Sequence, residues 1–271
     1  MKRAVLAPVV AGVLSVSCSS EVKVELLPGD GDVPRAAALH FAGPYDRVEV
    51  PSSPLLDVPQ DFAVEAWVFV ESYAGGHGVF NRWQNSIGDI QLTFGTPEPV
   101  AELELPLLER VPSHTLAAWV YKSGGGWITA YSTMLPETAH WHHLAMSYGG
   151  GALKLYVDGS RWATAMGTEP IANPTARLFI GATARSEQPI IDASLGERFW
   201  PPIQGAIAEV RMSSSDRYPG DFTPERTMPF DASTIALWHL NEGMGNVATD
   251  SGPNHLDGAI VNAVWADLPL R

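Results

Sequence analysis

The stretch that decides the fold is "WHHLAMSYGGGALKLYVDG", residues 141–159. It contains two hairpin turns in succession, a glycine turn at 149–151 and an Asp-Gly pair at 158–159. An Asp-Gly pair supplies the positive φ values that a tight type I′ turn requires. Between the turns, apolar side chains recur at every second position of "LKLYV" (153–157), as in a strand with one buried face. The stretch therefore predicts consecutive antiparallel strands.

Short runs of the same kind lie on both sides of this stretch. "FAVEAWVFV" (62–70) is apolar on both faces apart from Glu65, as in a central strand that is covered on both sides. "HTLAAWVYKSGGGWITAYS" (114–132) predicts a hairpin with a glycine turn, and "LFIGA" (178–182) and "GAIAEVRMS" (205–213) add two strands. No long stretch has a 3.6-residue period. The pattern indicates an all-β sandwich or barrel.

Composition agrees with a globular protein that is rich in turns. The 271 residues are 45% hydrophobic and 17% charged, with 25 Gly and 22 Pro, which excludes a collagen-like, coiled-coil or broadly disordered chain. The net charge of −13 repels phosphate backbones, so we expect no nucleic-acid partner. A single cysteine excludes an intramolecular disulfide, but roughly 220 residues can bury a sufficient core without one.

The N-terminus has the pattern of an export signal. A positive pair at residues 2–3 precedes an apolar stretch over 4–16, which is shorter than the about 20 residues of a membrane span. Cys18 follows directly and resembles the lipidated cysteine of the bacterial lipoprotein lipobox. Ser17 fits the small residue before that cysteine, whereas Ser15 stands where the family usually has Leu.

The lipobox resemblance implies a signal peptide over residues 1–17 and a tether over residues 18–35. Ser19 resembles the outer-membrane sorting pattern of Gram-negative lipoproteins. We therefore expect an outer-membrane or cell-surface lipoprotein that contacts the membrane only through the lipid on Cys18. Ordinary cleavage nearby would instead give a secreted protein.

Five segments in a fixed order carry a family resemblance: "ALHFAGPYDRVEVP" (38–51), "FAVEAWVFV" (62–70), "WHHLAMSYGGGALKLYVDG" (141–159), "LFIGA" (178–182) and "GAIAEVR" (205–211). Together they resemble the laminin-G-like branch of the concanavalin A-like lectin/glucanase superfamily. The resemblance implies an all-β jelly-roll β-sandwich of two antiparallel sheets over residues 36–225. We expect residues 226–271 to pack on the same sandwich, with Trp238 and Trp265 buried.

The superfamily includes glycosidases, so a catalytic carboxylate set is the first chemistry to consider. Retaining enzymes on this fold carry a Glu-x-Asp-x-Glu or Glu-x-Asp-x-x-Glu strand, which aims three carboxylates into one groove. No segment matches that pattern. Glu102 and Glu104 have strand spacing, but no Asp lies between them and Pro106 follows, which favours solvated carboxylates. We predict no catalytic residues.

Two other motifs favour structural explanations. His140 and His142 would share a face of a strand while His143 opposes them, which leaves a metal site incomplete. "GMGNVA" (243–248) satisfies Gly-x-Gly-x-x-Ala, but no strand–helix context supports a dinucleotide site.

Several laminin-G-like domains bind a structural Ca²⁺, which takes oxygen ligands. In the family's opening motif, Asp46 matches the acidic position and Gly43 offers a carbonyl. The closing strand supplies Glu209, but Ala208 replaces the usual Asp, so calcium binding stays open. No cofactor is required. The oxygen-rich stretch 250–257 lacks the spacing of a known calcium loop and is typical of Asx turns.

Aromatic residues provide the candidate ligand contacts. Trp83, Trp127 and Trp200 lie in or beside segments rich in Gly, Pro and Asn, where a side chain can be exposed. Sugar-binding clefts use such rings, but for any one of the three tryptophans core packing is the favoured explanation.

We therefore expect a non-catalytic surface or secreted binding module that recognises a glycan or an extracellular protein through loops at one edge of the sandwich. The alternative is a divergent glycoside hydrolase or polysaccharide lyase, which should cluster two carboxylates, or Tyr and His with Arg, in one groove. A structural envelope protein is a third possibility, because a fold does not fix function.

Overall fold

The structure, a computed structural model, describes residues 37–43, 45–73, 78–84, 87–94, 115–173, 175–185, 198–200 and 203–267. No helix in these ranges is long and apolar enough to cross a membrane. The ranges contain one 3-10 turn over Pro54–Leu56 and the following strands: β1 (Ala37–Phe41), β2 (Arg47–Val50), β3 (Phe62–Ser72), β4 (Gly78–Gln84), β5 (Ile87–Phe94), β6 (Leu116–Tyr121), β7 (Trp127–Ser132), β8 (Trp141–Gly149), β9 (Ala152–Val157), β10 (Ser160–Met166), β11 (Leu178–Ile180), β12 (Thr183–Arg185), β13 (Arg198–Trp200), β14 (Gln204–Ser213), β15 (Thr234–Trp238), β16 (Val247–Ala248), β17 (Gly258–Val261) and β18 (Val264–Asp267).

The described strands form two large antiparallel sheets. Sheet A has the order β10-β9-β8-β3-β14-β1-β18, with β15 also paired to β14. Sheet B has the order β16-β17-β2-β11-β4-β5-β6-β7, and β12 pairs with β13 in a separate two-stranded ribbon. This arrangement confirms the predicted all-β jelly-roll sandwich.

The stretch 141–159 forms β8, β9 and the turn into β10. Asp158 and Gly159 have φ values of 50° and 78°, as the type I′ turn requires. β8 is buried along its whole length and lies between β9 and β3. In β3, nine consecutive residues over 62–70 are buried, because one face meets the core and the other face is also covered.

The core lies between the sheets and follows the two-residue period of each strand. In β3, Val64, Ala66 and Val68 join the main apolar cluster, whereas Trp67 and Phe69 belong to a second cluster on the outer face of sheet A. Part of the outer face of sheet A is therefore apolar as well, and a further segment of the chain must cover it to keep it from water.

The C-terminal segment supplies strands to both sheets. β15 and β18 pair with β14 and β1 in sheet A, and β17 pairs with β2 in sheet B. Trp238 is fully buried and donates a hydrogen bond from Nε1 to the carbonyl of Leu256 at 2.8 Å. Trp265 is only half-buried, because β18 is the edge strand of sheet A.

Residues 214–231, called the strap below, cross the outer face of sheet A. Contacts to three strands and one turn hold the strap: Lys154 Nζ to Asp216 Oδ2 at 2.6 Å, Trp67 Nε1 to the carbonyl of Glu225 at 3.0 Å, Arg211 Nη1 to the carbonyl of Pro229 at 2.7 Å, and the amide of Phe222 to the carbonyl of Gly159 at 2.9 Å. The strap therefore closes this face of the sandwich.

The packing of the strap on the β9–β10 turn predicts the effect of Gly159→Ala. A Cβ at residue 159 would lie 1.8 Å from the carbonyl oxygen of Phe222, and the φ of 78° disfavours any side chain. We expect the free energy of unfolding to fall by about 2 kcal/mol or more, measured by urea denaturation. Gly220→Ala is the matched control, since a Cβ there meets nothing within 4 Å. Equal stability of the two variants would show that the strap does not pack on the turn.

Candidate functional site

A buried polar cluster lies under the strap on the outer face of sheet A. Glu65 is the fourth residue of β3 and lies directly opposite Arg211 of β14. Its Oε1 accepts a hydrogen bond from Arg211 Nε at 2.8 Å, and its Oε2 lies 3.0 Å from His143 Nε2. Oε2 also accepts a hydrogen bond from the hydroxyl of Tyr218, which is a strap residue. Glu65, His143 and Arg211 are at most 2% exposed.

The side chains around Glu65 keep its carboxyl group ionised. Burial alone would raise the pKa of Glu65, but the hydrogen bonds and charges of His143 and Arg211 outweigh burial and lower this pKa to about 2. Burial raises the pKa of Tyr218, and the negative charge of Glu65 raises it further. Tyr218 therefore stays protonated and donates to the carboxylate.

This cluster contains Tyr, His and Arg, one of the two combinations that the enzyme hypothesis expects in a groove, but the strap covers it. The ring of Tyr218 stacks on Phe222 at 3.6 Å with an interplanar angle of 8°, and His143 meets Phe222 edge-on at 5.6 Å. The carboxylate of Glu65 consequently has almost no surface for a substrate to reach. In this structure the cluster attaches the strap to the sheet.

The predicted calcium ligands Gly43 and Asp46 lie together in the turn after β1. Asp46 Oδ2 accepts hydrogen bonds from the amides of Ala42 and Gly43, at 2.8 and 2.7 Å. The carboxylate thus closes the turn by accepting from backbone amides three and four residues earlier in the chain.

Glu209 lies elsewhere. β1 pairs with β14 so that Phe41, next to the turn, faces Gly205, and Leu39 faces Ile207. Glu209 lies a further two residues along β14, away from the turn, and four residues of a strand at 3.3 Å each separate it from Gly205 by about 13 Å. Its carboxylate accepts a hydrogen bond from the amide of Met228 at 2.7 Å and lies 2.6 Å from His239 Nδ1.

The structure thus brings together Gly43 and Asp46, and not Glu209. Within the described residues, no group of three or more His, Cys, Asp or Glu could hold a metal ion. Calcium binding stays a prediction.

The remaining polar candidates have separate surroundings. His142 Nδ1 lies 2.7 Å from Asp158 Oδ2, on a different side of β8 from the Glu65 cluster. In the 250–257 stretch, the Asp250 carboxylate accepts hydrogen bonds from three backbone amides, those of Leu237, Gly252 and Leu256. Cys18, Glu102 and Glu104 lie outside the described residues.

The three tryptophans predicted to contact a ligand belong to sheet B or to the ribbon beside it. Trp83 is the penultimate residue of β4 and pairs with Gly88, Trp127 begins β7 opposite Tyr121, and Trp200 pairs with Thr183 in the ribbon. The register of β4 to β7 places Trp83 and Trp127 at the same end of sheet B. For Trp83 and Trp200 the structure describes the backbone and not the side chain.

Trp127 is part of an aromatic cluster on the outer face of sheet B. Its ring lies 4.9 Å from Tyr121 at 61° and 5.9 Å from Trp119 at 82°, both edge-to-face arrangements. We call Trp119, Tyr121 and Trp127 the aromatic cluster; all three are half-buried. The sequence pointed to Trp127 but missed the other two, although "LAAWVY" (116–121) alternates core and outer positions as a half-buried strand does.

The β6–β7 hairpin holds the aromatic cluster in place. The amide of Ser123 donates to the carbonyl of Pro170 at 2.8 Å, and the amide of Ala172 donates to the carbonyl of Tyr121 at 2.9 Å. Lys122 Nζ lies 3.1 Å from Glu169 Oε1, which balances the charge at the turn. These contacts fix the end of β6 and the start of β7, the strands that carry the rings of the aromatic cluster.

The two antiparallel sheets define a jelly-roll sandwich protein. Residues 42–219, well over half of the chain, match the family model described as the concanavalin A-like lectin/glucanases superfamily, and the chain belongs to this family. A comparison with curated proteins gives no match.

Three solved structures illustrate the fold. A Bacteroides ovatus protein proposed to be carbohydrate binding has a TM-score of 0.62 and 20% identity; the match covers 87% of this chain and 61% of that protein, so the chain spans about three fifths of its length. Domain 4 of an extracellular arabinanase from Geobacillus stearothermophilus, in complex with arabinotriose, has a TM-score of 0.44 and 19% identity, covering 69% and 73%. Domains LG4-5 of the mouse laminin alpha1 chain have a TM-score of 0.43 and 15% identity, covering 70% and 47%.

The lowered pKa of Glu65 predicts how stability depends on pH. Because its folded pKa is about 2, the stabilisation from ionised Glu65 is fully present above pH 4.5 and is lost as the pH falls through about 2. Glu65→Gln should lower the free energy of unfolding at pH 7 by about 3 kcal/mol and flatten its acid dependence in this window. Chemical denaturation at several pH values measures both effects.

The matched control is Glu71→Gln, which removes a half-exposed carboxylate that faces His40 at the surface. We expect it to change stability by about 0.5 kcal/mol or less. If the stability of Glu65→Gln depended on pH between 4.5 and 2 as that of the wild type does, the ionised carboxylate of Glu65 would not be what holds the strap to sheet A.

Proposed function

We propose that the chain is a non-catalytic binding module that recognises a glycan through the aromatic cluster at one edge of sheet B. The observation that carries the proposal is the contrast between the two faces. The strap closes the outer face of sheet A, whereas sheet B presents three half-buried rings beside its edge strand β7.

Half-buried rings suit a glycan because a sugar presents an apolar C–H face that packs on an aromatic ring, while its hydroxyls need polar neighbours. Trp127 and Trp119 supply large rings, and Tyr131, on the same face of β7, is 44% exposed. A group of rings held in place also limits the entropy lost on binding. The description of the Bacteroides ovatus neighbour as carbohydrate binding is in keeping with this proposal.

An enzymatic role on sheet A would require the strap to leave the Glu65 cluster. Such an opening would expose a carboxylate, an imidazole and a guanidinium together. Because the strap contacts β14, β3 and β9 as well as the β9–β10 turn, the binding role is the one that the geometry favours.

Removal of the rings tests the proposed site. Trp127→Ala and Trp119→Ala should each weaken glycan binding by about tenfold, since each deletes an aromatic contact. The measurement is a glycan array followed by calorimetry, on the full chain carrying Cys18→Ser, with calcium and with a chelator. Phe230→Ala is the control, because Phe230 is 56% exposed on the strap. Unchanged binding in both tryptophan variants would contradict the site.

We also propose that the mature protein is anchored by a lipid on Cys18, as the lipobox resemblance implies. In a Gram-negative host, the wild-type chain should incorporate labelled palmitate and partition into the detergent phase. Cys18→Ser should do neither, since no other cysteine can carry the lipid. An unlabelled wild-type chain in the culture medium would contradict the anchor and indicate secretion.

A further inference from the structure

In the described residues β7 is an edge strand of sheet B, and it lacks the features that usually keep edge strands from pairing with another chain. Its sequence, "WITAYS" (127–132), contains no charged residue, proline or glycine, and its register against β6 runs without a bulge. By contrast, β16 at the opposite edge of sheet B has only two residues. β10, an edge of sheet A, is interrupted by a bulge after Arg161, whose amide donates to Asp221 Oδ1 at 2.9 Å. Of these three edges, β7 is the one that can accept a further strand.

The hydrogen-bond pattern of the β6–β7 pair shows which backbone groups of β7 point away from β6. The amide of Lys122 donates to the carbonyl of Gly126 at 3.0 Å, so the ladder begins with a hydrogen-bonded pair at the turn. Hydrogen-bonded and non-hydrogen-bonded pairs alternate along an antiparallel ladder. Counted along the register, Thr129 and Tyr131 fall in non-hydrogen-bonded pairs, so their amides and carbonyls point away from β6. No backbone group in the described ranges pairs with them on that side.

β7 is complementary to a second copy of itself that runs antiparallel. If Thr129 faces Thr129 of the second copy, Trp127 faces Tyr131 at both ends of the pair. The outward backbone groups of the two strands then meet. Thr–Thr and aromatic–aromatic pairs are among the favourable cross-strand contacts. Because β7 carries no charge, this register puts no like charges opposite each other, although the chain has a net charge of −13.

The side chains that this pairing would use reach the surface of one copy. Tyr131 is 44% exposed, and Thr129 and Trp127 are half-buried on the same outer face of sheet B. A single strand pair buries less area than an obligate interface does, so we expect a dimer that dissociates in the micromolar range.

We propose that two copies of the chain pair through β7 about a twofold axis at Thr129, so that sheet B continues from one copy into the other. The pairing goes beyond the proposed function and does not depend on a glycan. It also adds to the same surface, because it puts Tyr131 of the second copy beside Trp127. Each aromatic cluster thereby gains a ring that its own copy does not supply at that position.

Charge reversal at the twofold axis tests the pairing. The measurement is sedimentation velocity, without any ligand, on the full chain carrying Cys18→Ser. Its mass should rise from 29.2 kDa towards twice that value between about 1 and 100 µM. Thr129→Lys and Thr129→Asp each put two like charges opposite each other and should weaken dimerisation by about tenfold or more. An equimolar mixture of the two variants should dimerise again, because opposite charges then face each other, and a folding defect could not produce this recovery.

Further variants keep the test decisive. Thr164→Lys is the control, since Thr164 is exposed on β10 of sheet A, and it should dimerise as the parent does. Tyr131→Pro removes an amide that β6 does not use, so it should weaken dimerisation, and it decides the outcome if the Thr129 variants do not fold.

Hydrogen exchange gives a second measurement on the same proteins. The amides of Thr129 and Tyr131 should exchange slowly at high concentration in the parent and at least about tenfold faster in Thr129→Lys, because only the dimer bonds them. A parent chain that stays monomeric, a dimer that the Thr129 variants leave intact, or a mixture that does not recover would overturn the inference. Each of these results leaves the proposed function standing, since glycan binding is measured separately.

Discussion

The carboxylate of Glu65 imposes the constraint on which the rest of the structure depends. An ionised group in a buried strand is costly unless charged and hydrogen-bonding partners surround it. Arg211 and His143 come from the two neighbouring strands, and Tyr218 comes from the strap. The carboxylate therefore joins three parts of the chain, and the strap that supplies Tyr218 covers the outer face of sheet A.

Because the strap covers only the outer face of sheet A, the outer faces of the two sheets have different roles. On sheet A, the strap buries an apolar cluster that includes Trp67, Phe69 and Met228, so that face contributes stability. On sheet B, the aromatic cluster stands on the neighbouring strands β6 and β7, and β7 is the edge strand. In the described residues, sheet B therefore has partly exposed rings beside an edge strand, whereas the strap covers the middle of the outer face of sheet A.

Local patterns predicted the fold, because hairpins and two-residue alternation are local properties. The structure confirms the turn at 158–159, where both residues have positive φ, and the strand over 62–70, which is buried on both faces. The Glu65 cluster was not predictable in this way, since its partners lie 78, 146 and 153 residues away. A lone Glu in an apolar strand signals only that some buried cation must pair with it. The separation of Asp46 from Glu209 likewise follows from strand register, which motif spacing does not contain.

Hydrogen exchange with and without a bound glycan is the most direct test of where the ligand lies. We expect added protection in β6, in β7 and in the hairpin between them, with no change in β3, β8 or the strap. Protection that appears instead in β3 and the strap would place the ligand on sheet A and contradict the proposed site.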